Sequence, residues 1–198
     1  MTDAAWALTP AALSRVLADA ARRESIVECG SGESTVAIAA LLAERRTGHL
    51  YSLEHDPGWA AQTRRELTRA GVSERASVIE APLAPHPLAA RDCGWYDTEA
   101  LGLLPEHIDL LLVDGPPGAL AANGQSRYPA LPLLAPRLAE GALVILDDIH
   151  RPGERAVVER WRRELGTKFE LHPRERVAIG VFSLHQRPVY TGEGSERQ

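Results

Sequence analysis

The sequence predicts an α/β fold in which helices cover both faces of a doubly wound, mostly parallel sheet. Five short apolar runs of strand character alternate with segments whose apolar residues recur at helical spacing, a pattern typical of parallel sheets with right-handed crossovers. A glycine-rich turn follows the first run, and acidic residues stand at the ends of the first, second, fourth and fifth runs. In such sheets ligands bind beyond the carboxyl ends of the strands, so these turns are the candidate functional positions.

The first half of the chain contains three predicted helices and three predicted strands. Thr9 and Pro10 supply an N-cap and a first-turn proline for the first helix. Asp56 and Pro57 do the same for the third helix, which Gly71 ends. In chain order we predict a helix from residue 10, a strand over 25–28, a helix over 34–45, a strand over 49–53, a helix over 57–70 and a strand over 76–79.

The second half begins with an irregular segment over 81–106 and then returns to regular structure. The apolar run over 108–113 is bounded by acids and predicts a central parallel strand. It is followed by a predicted helix around 128–138, a strand over 142–146, a helix from residue 152 to about 165, and strands over 168–171 and 177–184. The link between the last two strands suits a hairpin and is too short for a helical crossover. We therefore expect a single domain over residues 1–184 and a polar, disordered tail over 185–198.

Composition and charge exclude several classes of function. The chain has 198 residues, a net charge of −5 and no basic block, so a nucleic-acid partner is not expected. No stretch approaches the roughly 20 apolar residues of a membrane span, and the N-terminus lacks a basic region before a long apolar core. Cys29 and Cys93 form no CxxC pair, which argues against a zinc site or a disulfide framework. Lys168 is the only lysine, a bias typical of GC-rich bacterial genomes, and we expect a cytoplasmic protein without membrane contact.

The turn after the first strand reads Glu28-Cys29-Gly30-Ser31-Gly32-Glu33-Ser34 and can be compared with three nucleotide-binding motifs. The dinucleotide motif GxGxxG matches at its first two glycines, but its third falls on the β-branched Thr35. The phosphate loop GxxxxGK[ST] needs a lysine where Glu33 stands, and an acid there repels a polyphosphate. The third motif is an acid followed by glycines at alternate positions, and here the turn resembles the loop of class I methyltransferases.

The charge of the predicted cleft favours the methyl donor of that class. S-adenosylmethionine carries a sulfonium and an ammonium cation and has no phosphate. Glu28, Glu54, Asp56 and Asp114 edge the cleft, and carboxylates suit this ligand better than a dianionic pyrophosphate. We therefore interpret the turn as a methyl-donor loop.

Two longer runs extend the resemblance over nearly the whole chain. IDLLLVDGPPG and RYPALPLLAPRLAEGALVILDDIHRPGE resemble the small bacterial class I methyltransferases most similar to O-methyltransferases. The resemblance implies a seven-stranded Rossmann-like sheet whose terminal strand is antiparallel and inserted beside the sixth. It also implies the cofactor-binding residues: Glu28, Gly30 and Gly32 at the methionine moiety, Glu54 at the ribose, His55, Ala81 and Pro82 at the adenine, and in addition Ser34 and Asp114. The family often places a polar side chain near Pro82, and proline offers none.

Three aspartates stand at neighbouring strand ends. Asp114 follows the fourth strand, and Asp147 and Asp148 follow the fifth. In the metal-dependent catechol-type O-methyltransferases that the chain resembles, acids at these positions hold Mg²⁺, which prefers oxygen ligands. The alternative stays open: Asp114 orders the cofactor, Asp147 caps a turn and Asp148 faces solvent. Those enzymes also use a lysine base, and this stretch contains no lysine.

His150 and Asp114 are the candidate catalytic residues. His150 lies two residues after the aspartate pair, and imidazole titrates near neutral pH, so it is the candidate general base. Asp114 would act through the metal. Four further side chains could contact the acceptor or only pack beside it, namely Trp95, Tyr96, Arg127 and Tyr128.

The expected function is methyl transfer from S-adenosylmethionine to a small molecule, at a hydroxyl oxygen, with Mg²⁺ as a candidate second cofactor. Two other functions stay open at this point, an NAD-dependent oxidoreductase and a cofactor-binding domain that has lost catalysis. The sequence also leaves open whether the chain forms a homodimer.

Overall fold

The computed structural model describes residues 7–122 and 124–186, and the predicted tail lies outside them from residue 187 onward. The helices are α1 (Pro10–Ala20), α2 (Glu33–Arg45), α3 (Pro57–Ala70), α4 (Thr98–Leu101), α5 (Ala130–Leu134) and α6 (Pro152–Leu165). The strands are β1 (Ser25–Cys29), β2 (His49–Glu54), β3 (Ala76–Glu80), β4 (Leu83–Ala84), β5 (Trp95–Tyr96), β6 (Ile108–Val113), β7 (Leu138–Leu146), β8 (Phe169–His172) and β9 (Val177–Val181).

Seven of these strands form one sheet in the order β3-β2-β1-β6-β7-β9-β8. The first five strands of that order pair in parallel, whereas β9 pairs antiparallel with both β7 and β8. This arrangement confirms the predicted Rossmann-like fold, including the antiparallel terminal strand inserted beside its predecessor. The chain order of the strands reverses between β1 and β6, so the topological switch point lies between their carboxyl ends.

Local capping sets the helix that borders this switch point. The Asp56 side chain accepts a hydrogen bond of 2.7 Å from the backbone N–H of Trp59, and Pro57 occupies the first turn of α3. Gly71 ends the helix with a φ of +70°, a conformation that glycine adopts without a Cβ clash. The predicted bounds of this helix are therefore confirmed, and Trp59 is held beside the turn that follows β1.

The core has an apolar layer on each face of the sheet. Alternate residues of β1 and β6 contribute to opposite layers: Ile26 and Leu110 face one, whereas Val27 and Leu111 face the other. Cys29 at the end of β1 is fully buried, and burial raises the pKa of its thiol well above the ordinary value, so it is no nucleophile.

The structure corrects the prediction of a helix over 128–138. The α-helical part is confined to Ala130–Leu134, a 3₁₀ turn covers Ala135–Arg137, and β7 begins at Leu138. Pro132 and Pro136 lack the backbone N–H that a longer α-helix requires, which limits its extent.

The segment over 81–106, which carried no structural prediction beyond irregularity, contains a small antiparallel pair. Leu83 pairs with Tyr96 and Ala84 with Trp95, which brings both aromatic rings into the core. Within the described residues, no helix combines the length and the apolar character that crossing a bilayer requires.

Candidate functional site

A cleft lies above the carboxyl ends of the strands at the switch point. Its volume is about 280 Å³, near the lower end of the range for small-molecule sites. It is lined by Gly30, Ser31, Glu54, His55, Asp56, Trp59, Tyr96, Asp114, Gly115, Pro116 and Pro117. The turns after β1, β2 and β6 thus meet in one place, and four of the predicted cofactor-binding residues are among the lining (Gly30, Glu54, His55 and Asp114).

Two glycines allow the turns after β1 and β6 to approach each other. Gly30 has a φ of +97°, which disfavours any residue with a side chain. A Cβ atom at Gly115 would lie 2.6 Å from the Tyr96 hydroxyl and 3.0 Å from the backbone N and Cα of Gly30. Glycine is therefore required on both sides of the contact that forms the floor of the cleft.

Glu28 braces this turn from behind. Its side chain is buried and accepts hydrogen bonds from the hydroxyl groups of Ser34, Thr35 (2.6 Å) and Ser52 (3.0 Å). Burial raises the pKa of Glu28, and the three hydroxyl bonds offset part of that rise. Glu28, Gly32 and Ser34 lie outside the cleft lining, so their implied contact with the methionine moiety stays a prediction, and the geometry shows Glu28 and Ser34 holding the loop.

Ser52 and Thr35 were missed as site residues. The Ser52 hydroxyl lies 2.5 Å from the carbonyl of Gly30, and Thr35 Oγ1 accepts a bond of 2.9 Å from the backbone N–H of Gly32. A serine inside an apolar strand was the available signal for Ser52. The sequence marks Thr35 only as the residue that breaks the dinucleotide motif, whereas in the structure its hydroxyl secures the glycine turn.

Glu54 is tied to both neighbouring turns. One carboxylate oxygen accepts bonds from the Ser31 backbone N–H (3.0 Å) and hydroxyl (2.9 Å), and the other from the Asp56 backbone N–H (2.9 Å). His55 Nδ1 lies 2.9 Å from that second oxygen. A carboxylate has about four lone-pair sites, so a bound ribose diol would have to displace side-chain donors, of which Ser31 Oγ and His55 Nδ1 are the movable ones.

The pair of His55 and Glu54 predicts a pH dependence of stability. The hydrogen bond to Glu54 raises the pKa of His55, although burial opposes the rise, and the charges of Glu54 and Asp56 add to it. Burial raises the pKa of Glu54, but the bonds from His55, Asp56 and Ser31 outweigh it and leave the pKa below the ordinary value. Glu54 therefore stays ionised while His55 titrates.

Because the pKa of His55 is raised by folding, its interaction with Glu54 stabilises the fold. This stabilisation is fully present at pH values below the pKa of an unfolded histidine, about 6.5, and is lost as the pH rises through the pKa of His55 in the folded protein. We expect His55→Gln to lower the melting temperature by about 1–3 °C near pH 5.5 and to have little effect near pH 8.5. Thermal unfolding across that range measures the difference. In a Glu54→Gln background the pH dependence should disappear, and a difference that is equal at both pH values would refute the pairing.

Trp59 and Tyr96 also line the cleft. Trp59 Nε1 donates a bond of 2.6 Å to the carbonyl of Ser31, which positions its ring beside the glycine turn. Sequence reasoning missed Trp59, although its place one turn after the Asp56 cap was a usable signal. The Tyr96 hydroxyl is buried without a hydrogen-bond partner in the described structure, and the ring packs edge-on against Trp95 with centroids 4.8 Å apart.

Ala81 is buried, and its backbone N–H donates a bond of 2.7 Å to the carbonyl of Glu54.

The three predicted aspartates converge beside the cleft. One carboxylate oxygen from each of Asp114, Asp147 and Asp148 lies within 4.8 Å of the others. Burial raises the pKa of Asp147 to about 6, with a further contribution from the charge of Asp148. Burial also raises the pKa of Asp114 well above its ordinary value, against the lowering effect of Arg127.

The side chains present do not fit a resident Mg²⁺, because a cation already contacts the cluster. Nη2 of Arg127 lies 3.3 Å from Asp114 Oδ1 and 3.2 Å from Asp148 Oδ2, and this side chain is only 4% exposed. Burial lowers the pKa of Arg127, but the surrounding carboxylates raise it above the ordinary value, so the guanidinium remains charged. A dication among the three carboxylates would lie close to this positive charge.

His150 and Tyr128 lie outside the cleft lining. His150 Nδ1 is 3.7 Å from Asp148 Oδ1, and the imidazole is 42% exposed at the rim. Tyr128 hydrogen-bonds through its hydroxyl to Glu164, and the guanidinium of Arg160 lies 3.3 Å from its ring centroid. Tyr128 therefore packs against α6, which is the packing role that the sequence left open as the alternative to contact with the acceptor.

Comparisons with known proteins agree with this geometry. A family model described as a methyltransferase domain matches residues 27–149. No curated protein sequence matches the chain.

Three solved structures illustrate the similarity of fold. Methyltransferase PaMTH1 of Podospora anserina, bound to S-adenosylhomocysteine, has a TM-score of 0.68 at 17% identity, covering 91% of this chain and 81% of its own. The O-methyltransferase of Bacillus cereus in complex with the same ligand has a TM-score of 0.60 at 16% identity, covering 90% and 84%. Precorrin-6y C5,15-methyltransferase of Geobacter metallireducens has a TM-score of 0.63 at 14% identity, covering 92% and 93%.

Proposed function

The chain belongs to the methyltransferase-domain family, and from this premise we propose that it transfers a methyl group from S-adenosylmethionine to a hydroxyl oxygen of a small molecule. The family match spans more than half of the chain and includes the turns after β1, β2 and β6. The family and the cleft support the donor, whereas the small-molecule acceptor and its oxygen atom are proposed from the site residues.

The observation that carries the choice of donor is the charge of the cleft lining. Glu54, Asp56 and Asp114 contribute carboxyl groups, and no lysine or arginine is among the lining residues that the structure describes. Such a lining stabilises a ligand with sulfonium and ammonium cations and repels a pyrophosphate. This distinguishes the methyl donor from the nicotinamide dinucleotide that the glycine pattern also suggested.

The proposed roles divide between residues that line the cleft and His150, which lies outside the lining beside Asp148. Glu54 would accept the ribose hydroxyls, and His55 and Trp59 would flank the adenosine. The donor, when bound, supplies a methyl carbon already activated by the sulfonium, so the protein need only align the acceptor and remove its proton. His150 at the rim would take that proton, and Asp148 at 3.7 Å would orient and stabilise the resulting imidazolium.

An oxygen acceptor is supported by the name of the Bacillus cereus neighbour, an O-methyltransferase. The Geobacter neighbour is named for two carbon positions of precorrin-6y, so this fold serves different acceptor atoms. The wall that faces the acceptor would therefore decide the atom, and we assign the lining residues Tyr96, Pro116 and Pro117 to it. A hydroxyl needs a base close to the transferred methyl, which is the role proposed for His150.

Calorimetric titration of the purified protein with S-adenosylmethionine, S-adenosylhomocysteine and NADH tests the choice of donor. We expect both methionine-derived ligands to bind at micromolar concentrations and NADH not to bind. If neither methionine-derived ligand binds at sub-millimolar concentration, the proposed function is wrong. Transfer of a labelled methyl group to a panel of phenols, alcohols, thiols and amines then distinguishes an O-methyltransferase from a domain that only binds the cofactor.

Glu54→Gln is expected to weaken binding of S-adenosylhomocysteine about 10- to 100-fold, because the neutral amide forms weaker bonds to the ribose and offers one acceptor atom instead of two. Titration calorimetry measures the change. Glu80→Gln is the matched control, because Glu80 is the register partner of Glu54 on β3 but lies outside the cleft lining and pairs with Arg64. Equal affinities of both variants would contradict the ribose role of Glu54.

A further inference from the structure

The guanidinium of Arg127 is enclosed by oxygen atoms from the turn after β6, the turn after β7 and the first turn of α6. Nη2 contacts Asp114 and Asp148 at 3.3 and 3.2 Å, and Nη1 lies 3.3 Å from the backbone carbonyl of Asp147. Nε donates to the carbonyl of Pro116 at 3.3 Å, and Glu154 lies 4.0 Å from Nη1. Each nitrogen therefore faces an oxygen, as the coordination positions of a bound cation would.

We propose that Arg127 takes the place of a divalent cation in this site, and that methyl transfer here runs without a metal. The inference rests on the proposed function, since it concerns how that same site holds its acidic residues. Arg127 joins the turn after β6, which carries Asp114, to the turn after β7, which carries Asp148. In a metal-dependent site the ion would make this connection.

The absence of a metal from the reaction changes how the acceptor hydroxyl loses its proton. A metal ion at this site would act as a Lewis acid that lowers the pKa of an acceptor hydroxyl. The guanidinium has its nitrogens directed at protein oxygens and is buried, so it offers no open coordination position. A protein base must therefore remove the proton of the acceptor hydroxyl.

The role of Arg127 is tested by Mn²⁺ binding, followed by electron paramagnetic resonance, in the wild type and in Arg127→Met. We expect no saturable Mn²⁺ site in the wild type at millimolar concentration and at least a tenfold gain in affinity in Arg127→Met. Arg151→Met is the matched control, because Arg151 Nη1 lies 2.7 Å from the same Asp148 but its side chain is 37% exposed. The Mn²⁺ affinity of that variant should rise less than threefold. Adding Asp147→Asn to Arg127→Met should abolish the gain in Mn²⁺ affinity.

Saturable Mn²⁺ binding by the wild type in the sub-millimolar range, abolished by Asp147→Asn, would overturn the proposal, and this measurement requires no Arg127 variant to fold. An equal gain of Mn²⁺ affinity in Arg151→Met would also overturn the proposal, because the gain would then come from the loss of any nearby positive charge and not from the place of Arg127. Titration of the same samples with S-adenosylhomocysteine separates the two proposals. Loss of ligand binding refutes the proposed function, whereas wild-type Mn²⁺ binding with intact ligand binding refutes only the role of Arg127.

Discussion

Arg127→Met is expected to lower the free energy of unfolding by about 3–5 kcal/mol, the range for removing one partner of a buried ion pair. Asp114 and Asp148 would lose their shared guanidinium, and the carbonyls of Pro116 and Asp147 would lose a donor. Methionine fills a similar volume but returns none of these bonds. Equilibrium unfolding in urea measures the loss and also shows whether the variant remains cooperative.

The control for this effect is Arg151→Met, which removes an exposed cation from the same aspartate. An exposed pair contributes about 0–1 kcal/mol, so the two variants should differ clearly. Arg127→Lys keeps the charge but cannot reach the oxygens of both turns at once, and we expect an intermediate loss. A loss below about 1 kcal/mol for Arg127→Met would mean that the guanidinium is screened like a surface charge.

Gly115→Ala is expected to weaken binding of S-adenosylhomocysteine by about 10- to 100-fold, because overpacking a tight contact costs about 1–3 kcal/mol and about 1.4 kcal/mol is tenfold in affinity. The new Cβ would lie 2.6 Å from the buried Tyr96 hydroxyl and 3.0 Å from the backbone of Gly30. Neither neighbour can move freely, because Gly30 N–H donates a bond of 2.9 Å to the carbonyl of Leu53 and Tyr96 is packed in the core. The turns after β1 and β6 must then separate, which widens the floor of the cleft.

Calorimetry with the ligand measures this loss, and two further variants interpret it. Gly141→Ala meets no neighbouring atom within 4 Å and has a φ of +75°, so it introduces backbone strain far from the cleft and should leave ligand binding unchanged. Tyr96→Phe combined with Gly115→Ala removes the shorter contact and should recover part of the affinity. Unchanged affinity in Gly115→Ala would show that the two turns do not form the binding site.

Local sequence patterns were sufficient for most of the fold. Pro57–Ala70 and Pro152–Leu165 begin and end at the predicted residues because first-turn prolines and terminal glycines act within a few positions of the chain. The prediction of one helix over 128–138 was wrong, and the reason is also local, because Pro132 and Pro136 interrupt the segment. The small β4–β5 pair was not predictable, because two-residue strands carry no periodicity.

Part of the candidate site was also predictable from the sequence, and part depended on tertiary packing. The loop around Gly30, the acid Glu54 at the end of β2 and the three convergent aspartates were predicted, because the ends of parallel strands meet at one edge of the sheet. The geometry of Glu28, which faces hydroxyl groups behind the loop, was not predicted, since its direction depends on the packing of β1, β2 and α2.

Arg127 is the clearest case of a role that no local pattern specifies. It is 13 residues from Asp114 and 21 from Asp148 in the sequence, and an arginine in a turn usually faces solvent. The residues of the sequence define a cleft that suits a cationic methyl donor and a cluster of carboxylates that needs a counter-charge. The contact of Arg127 with Asp114 and Asp148 arises from the folding of the chain between β6 and β7, because an ion pair depends on distance in space and not on separation in sequence.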